Sequence, residues 1–198
     1  IKDLGLETEI KIKTKEQLDI INNFKPHQNV ILIVEPLKRL SLDEFLIEKS
    51  YTSEQPLRVM ILDQVTDPQN VGAIIRSAYA FKMNALALSQ TNSPIESNSM
   101  SKASSGTIEK LEIIELSNMS RAIRKLQDAN FRVYGLANGG NGSVFDLEKE
   151  VGNVAVVVGS EGKGLRRIKK KKVDQIIEIP INTNKKSLNV SNAASISM

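Results

Sequence analysis

The chain has 198 residues, 40% hydrophobic and 25% charged, which is enough for one α/β domain with a real core plus a small extra piece. There is no cysteine, which excludes disulfides, thiolate catalysis and thiolate-bound metal; a single His27, with no HExxH or Cys–His spacing, leaves no metal site to expect. The apolar runs are too short to cross a bilayer and no signal peptide is visible, so a cytoplasmic protein without a membrane partner is expected; the net charge of +4 is by itself weak evidence for nucleic acid.

Residues 1–50 read as the end of a small domain, with a helix over 15–23, a short buried strand over 30–34 and a second helix over 41–49. Ser41 is the expected N-cap of that second helix, and Glu44 completes a capping box. Residues 51–56, polar and closed by Pro56, read as a linker. From residue 57 strands and helices alternate. Strands are expected over 58–62, 85–88, 111–116, 131–136, 154–158 and 175–179, and helices over 70–81, 118–130, 165–172 and from 188 onward. Such alternation predicts a mostly parallel sheet covered by helices on both faces. The chain opens at Ile1 inside a folded-looking segment and closes at Met198 part-way along a helical run, as expected of part of a longer protein.

On the helix over 70–81, Val71, Ile74, Ile75, Ala78 and Phe81 share one face at 100° per residue and should pack on the sheet. Ala73, Arg76, Ser77 and Ala80 occupy the other face, small apart from one arginine, and suit a close approach by a second subunit or a substrate.

Two loops near the C-terminus carry the chemistry. Gly159-Ser160-Glu161-Gly162-Lys163-Gly164-Leu165 follows the apolar run 154–158, and Ser187-Leu188-Asn189-Val190-Ser191-Asn192-Ala193 follows the run closed by Pro180. Each lies at the C-terminal end of an expected strand, where open α/β sheets hold ligands. The glycine spacing is neither G-x-G-x-x-G nor G-x-x-x-x-G-K-[ST], so neither a dinucleotide nor a P-loop nucleotide is indicated. Ser187 and Asn189 either cap the last helix or, with Asn70 and Arg76, line a polar pocket. Seven of the ten residues 163–172 are basic and emerge from the first loop, either as a solvated helix face or as a phosphate footprint.

Asp67-Pro68-Gln69-Asn70-Val71-Gly72-Ala73-Ile74-Ile75-Arg76-Ser77-Ala78, the Gly159–Leu165 loop, and Ile179-Pro180 with Ser187–Ala193 resemble, in order, motifs 1, 2 and 3 of the SpoU-type (TrmH-like) RNA 2′-O-ribose methyltransferases. The resemblance covers 57–198, and the arrangement is most similar to the branch acting on a guanosine of large-subunit ribosomal RNA. It implies an α/β fold with a C-terminal deep trefoil knot, a homodimer, and S-adenosylmethionine as methyl donor. It also implies that residues 1–50 end a small ribosomal-protein-like RNA-binding domain, and that the last helix of the knot is cut at Met198. By motif position Gly159, Ala137, Ile179, Pro180 and Leu188 would hold the cofactor, while Arg76, Asn70, Ser187, Asn189 and Glu161 would form the catalytic site. The implied partner is RNA, ribosomal rather than transfer RNA. A tRNA ribose methyltransferase and a non-catalytic RNA-binding protein of the same fold remain the alternatives.

Overall fold

In the computed structural model, residues 9–89, 97–160, 164–165, 172–182 and 188–198 are described. The chain divides at Pro36 into two compact units, Ile1–Pro36 and Leu37–Met198.

The first unit carries helix α1, Lys15–Ile21, with a Thr14–Gln17 capping box at its start. His27 Nε2 lies 3.0 Å from Asp19 Oδ1. The buried strand expected over 30–34 is not formed there. Gln28 and Asn29 turn with positive φ just ahead of it, and Val30, Leu32, Ile33 and Val34 are all exposed. An apolar run becomes a strand only where a second strand offers it a hydrogen-bonding edge, and no strand lies in this unit among the described residues.

The second unit is built on a sheet of eight strands among the described residues: β1 (Leu40–Ser41), β2 (Arg58–Asp63), β3 (Ala85–Ser89), β4 (Glu112–Leu116), β5 (Phe131–Leu136), β6 (Gly142–Ser143), β7 (Asn153–Gly159) and β8 (Gln175–Glu178). Their spatial order is β1-β4-β3-β2-β7-β5-β8-β6, and every pairing is parallel. Among the described residues five α-helices accompany them: α2 (Leu42–Thr52), α3 (Pro68–Ala80), α4 (Asn98–Ser104), α5 (Met119–Asp128) and α6 (Val190–Ile196). The capping box read at Ser41 and Glu44 starts α2. That helix runs through the first residues of the expected linker, and Leu40 pairs with Ile114 of β4. The break in the chain therefore precedes Leu37, and residues 37–56 belong with the sheet.

Strand alternation splits the core in two. Met60 and Leu62 of β2, with Val156 and Val158 of β7, face α3, α4 and α6; Val59 and Ile61, with Ala155 and Val157, face α2 and α5. The near-continuous apolar strands are those of a parallel sheet covered on both sides. Within β5, the buried Tyr134 donates its hydroxyl to Glu150, which also pairs with Arg132 at 2.9 Å. Burial first, then that carboxylate, pushes the phenol well above its ordinary value of 10.0, with Arg132 opposing.

Candidate functional site

Four neighbouring strands end together. Asp63 of β2 is level with Gly159 of β7, and Leu136 of β5 is level with both Val158 and Ile177. The chain order changes direction here, since β2, β3 and β4 spread one way from β7 while β5 and β8 lie on its other side. This is the switch point at which open α/β sheets leave a crevice at the carboxyl ends of their strands.

Four of the expected cofactor residues follow from this edge. Gly159 ends β7, Ala137 follows β5, and Ile179 and Pro180 follow β8. Ala137 donates its N–H to the Ile177 carbonyl at 3.0 Å, and Gly139 donates to Glu178 Oε2 at 2.8 Å. Asn138, Glu178, Ile179, Pro180, Ile181 and Asn182 line a cleft of about 440 Å³ beside them, within the size range of small-molecule sites. Gly159 has a second reason to be glycine. The loop returns upon it, with Gly164 donating to the Ser160 carbonyl at 2.8 Å, and a Cβ on Gly159 would lie 2.3 Å from the Gly164 carbonyl carbon. Gly164 itself sits at φ +57°, in the left-handed region.

The polar residues come from the starts of two helices. Asp67 caps α3, with Pro68 in its first turn, and this buries Asn70. Asn189 caps α6, accepting the N–H of Ser191 at 2.9 Å, and its Nδ2 donates to Asn70 Oδ1 at 3.0 Å. Asn189 therefore caps the helix, as one of its two expected roles had it, and its nitrogen at the same time reaches the start of α3. Farther along the same pair of helices, Ser195 Oγ lies 2.8 Å from Ser77 Oγ. Leu188, just before the cap, is half-exposed.

Arg76 does not join this contact. Six residues beyond Asn70, it stands about 120° round the helix and about 9 Å along its axis. It is exposed and makes no ion pair among the described residues. Glu161 and Ser187 lie outside the described residues, as does nearly all of the helix expected over 165–172. Two residues not singled out from sequence are Glu178, which ties the loop after β5 to the end of β8, and Asp63, a buried carboxylate level with Gly159. Each is a charge set into an otherwise apolar run, and that was the available signal.

The sequence profile of the SpoU rRNA Methylase family matches residues 57–198. The chain belongs to that family. It is 35% identical over 184 residues to a Staphylococcus aureus (strain COL) protein described as a TrmH family tRNA/rRNA methyltransferase, covering 93% of this chain and 73% of that one. The fold is similar to the SpoU methyltransferase AviRb of Streptomyces viridochromogenes, solved in complex with AdoMet, at TM-score 0.67 and 22% identity over 76% of this chain. An AdoMet-bound rRNA methyltransferase of Sinorhizobium meliloti superposes with TM-score 0.71 at 22% identity over 81% of this chain. The chain spans 58% and 59% of the length of those two solved chains. Among the described residues no group of three His, Cys, Asp or Glu could hold a metal, and no helix is long and apolar enough to cross a membrane.

Proposed function

We propose that this SpoU family chain transfers a methyl group from S-adenosylmethionine to a ribose 2′-hydroxyl of RNA, on a guanosine of large-subunit ribosomal RNA. The observation that carries the reading is the Asn70–Asn189 contact, which joins the segments that resemble motifs 1 and 3; Gly159, in the segment that resembles motif 2, ends its strand level with Asp63, the last residue of β2.

The residues present suit the cofactor. The cleft after β8 is lined by Ile179 and Pro180 and by Asn138, next to Ala137, and the glycine at 159 lets Gly164 and Leu165 pack back against the end of β7 where a side chain would not fit. Bound there, the cofactor would supply a sulfonium-activated methyl group. Leu188 and Gly159 would complete its surroundings, with Glu161 in a role of order rather than chemistry, either at the site or at the dimer interface. Asn70 and Asn189 orient the motif 3 segment, and Ser187 adds a hydroxyl to the polar side. Their contribution to rate is positioning, which supplies much of the acceleration of an in-line transfer. Arg76, whose guanidinium stays protonated, clamps a substrate phosphate and stabilises the negative charge developing on the 2′-oxygen.

Arg76 points away from its own Asn70–Asn189 contact, and its face of α3 carries the small residues Ala73 and Ala80. A homodimer packed on this face, with two-fold symmetry, is the arrangement that would set Arg76 beside a site. A trefoil knot formed by the C-terminal segments, RNA binding by the N-terminal unit, and a cytoplasmic location complete the reading. The staphylococcal relative is described for both tRNA and rRNA, so a transfer RNA substrate is the second reading.

The test is to incubate the protein and labelled S-adenosylmethionine with ribosomal RNA and with transfer RNA, and to map the product. A 2′-O-methylguanosine in large-subunit RNA is expected. Transfer to tRNA alone moves the substrate, and no transfer to either sinks the enzyme reading.

A further inference from the structure

A second cleft, of about 490 Å³, runs along α5 on the sheet face opposite α3, α4 and α6. Met119, Ala122, Ile123 and Leu126 of α5 turn into the core, which leaves Arg121, Arg124 and Gln127 along the open side. Lys172, the last residue of the basic run read from the sequence, lies across from them. Three cations, the amides of Asn118 and Gln127 and the Ser120 hydroxyl therefore share one groove, and no carboxylate is among its lining residues that the structure describes.

This grouping is built rather than incidental. Gln127 Nε2 donates to the main-chain oxygen of Lys172 at 3.0 Å and to Asp174 Oδ1 at 2.9 Å, fixing the approach to β8 against α5. The other oxygen of Asp174 accepts the Val133 N–H at 2.7 Å, so this nearby acid is held by neutral donors. Lys125, by contrast, is on the other flank and pairs with Asp43 at 2.6 Å. Arg121 and Arg124 form no ion pair among the described residues. Like charges gathered without counter-charge repel one another, and a polyanion is the partner that relieves the repulsion.

We propose that this groove binds RNA backbone phosphates, docking a stretch of substrate outside the target nucleotide. The partner's identity rests on the RNA methyltransferase reading; the site does not. From Arg121 to Gln127 the helix rises about 9 Å, room for two to three phosphates at the roughly 3.4 Å spacing of a stacked strand. Phosphate contacts fix register without reading sequence, so the groove would strengthen binding uniformly across sequences.

The test uses a fluorescent 20-nucleotide oligouridylate and measures Kd between about 50 and 200 mM salt. Each lost phosphate contact flattens the slope of log K against log salt by about 0.7 for a single strand. The double variant Arg121→Gln/Arg124→Gln is expected to flatten it by about 1.4 and to weaken binding about tenfold at 100 mM salt. Lys172→Gln should flatten it by about 0.7. Lys125→Gln should leave the slope unchanged, and S-adenosylmethionine binding by calorimetry should be unaltered in all variants. A wild-type slope in the arginine variant, or an equal loss in the Lys125 variant, overturns the groove. A wild-type protein that binds cofactor but no RNA also overturns it, whereas failure to bind cofactor would count against the enzyme reading alone.

Discussion

Asn189 Nδ2 donates to Asn70 Oδ1 at 3.0 Å, joining the starts of two helices 119 positions apart in the chain. Because Asn189 also caps α6, its two roles can be separated only by a double-mutant cycle. Asn70→Ala and Asn189→Ala should each cost about 1–2 kcal/mol in urea denaturation, with Asn189→Ala the larger for its lost cap. The coupling energy between them should be about 1 kcal/mol. Strict additivity would show that the contact stabilises nothing.

Gly159→Ala should damage the site from its main chain. The added Cβ meets the Gly164 carbonyl carbon at 2.3 Å and the Leu165 nitrogen at 2.4 Å, both backbone atoms that no rotamer change can move. A destabilisation of about 1–3 kcal/mol and loss of S-adenosylmethionine binding in calorimetry are expected. Unchanged cofactor affinity would mean that the returning loop is not part of the pocket.

Arg76 should matter to rate and not to folding. Its side chain is exposed and makes no ion pair among the described residues, so Arg76→Ala should leave the melting temperature unchanged. Single-turnover methyl transfer should fall by about 10²–10³-fold, the scale of losing one transition-state donor. Arg76→Lys should recover only part of this, because an ammonium cannot grip phosphate in two places. Full activity in the lysine variant would remove the bidentate clamp.

Tyr134 makes alkaline stability predictable in sign. Its folded pKa is raised above the ordinary 10.0 by burial and by Glu150, so the folded state holds the proton more tightly than the unfolded chain. The resulting stability is fully present below pH 10 and is lost as pH climbs through the folded value. Denaturation followed from pH 8 to 12 should show this loss beginning near pH 10, and Tyr134→Phe should remove that component. A decline starting at neutral pH in the wild type, absent in the variant, would contradict the assignment.

The sheet was readable where local signals and tertiary demands coincide. The apolar run at 154–158 and the turn residues around it mark β7, and Asp67-Pro68 marks the start of α3. The run at 30–34 has the same composition as a strand, yet pairing is a property of two segments, and a local reading supplies only one. Helix α4 is the converse case: its sequence, Asn98 to Ser104, has a single large apolar residue, Met100. It is set by α3, where Gly72 lets the helices approach so closely that a Cβ would lie 2.6 Å from Ala103 Cβ. Within the site, Gly159, Asn70 and Asn189 were legible because each stands at a strand end or a helix start. The separation of Arg76 from that group was obscured because motif membership places residues in one list while the helix turns them apart.

The central strand β2 is hydrogen-bonded to β3 on one side and to β7 on the other, and the Leu57 N–H donates to Asn153 Oδ1 across 96 positions of chain. During synthesis at about 5–20 residues per second, one side of β2 therefore waits roughly 5–20 seconds for the strand that will cover it. Until then a row of apolar residues and open backbone groups, meant for the middle of the sheet, is available to other nascent chains. Yield of folded protein should thus depend on translation rate and on holding chaperones more than the stability of the finished sheet would suggest.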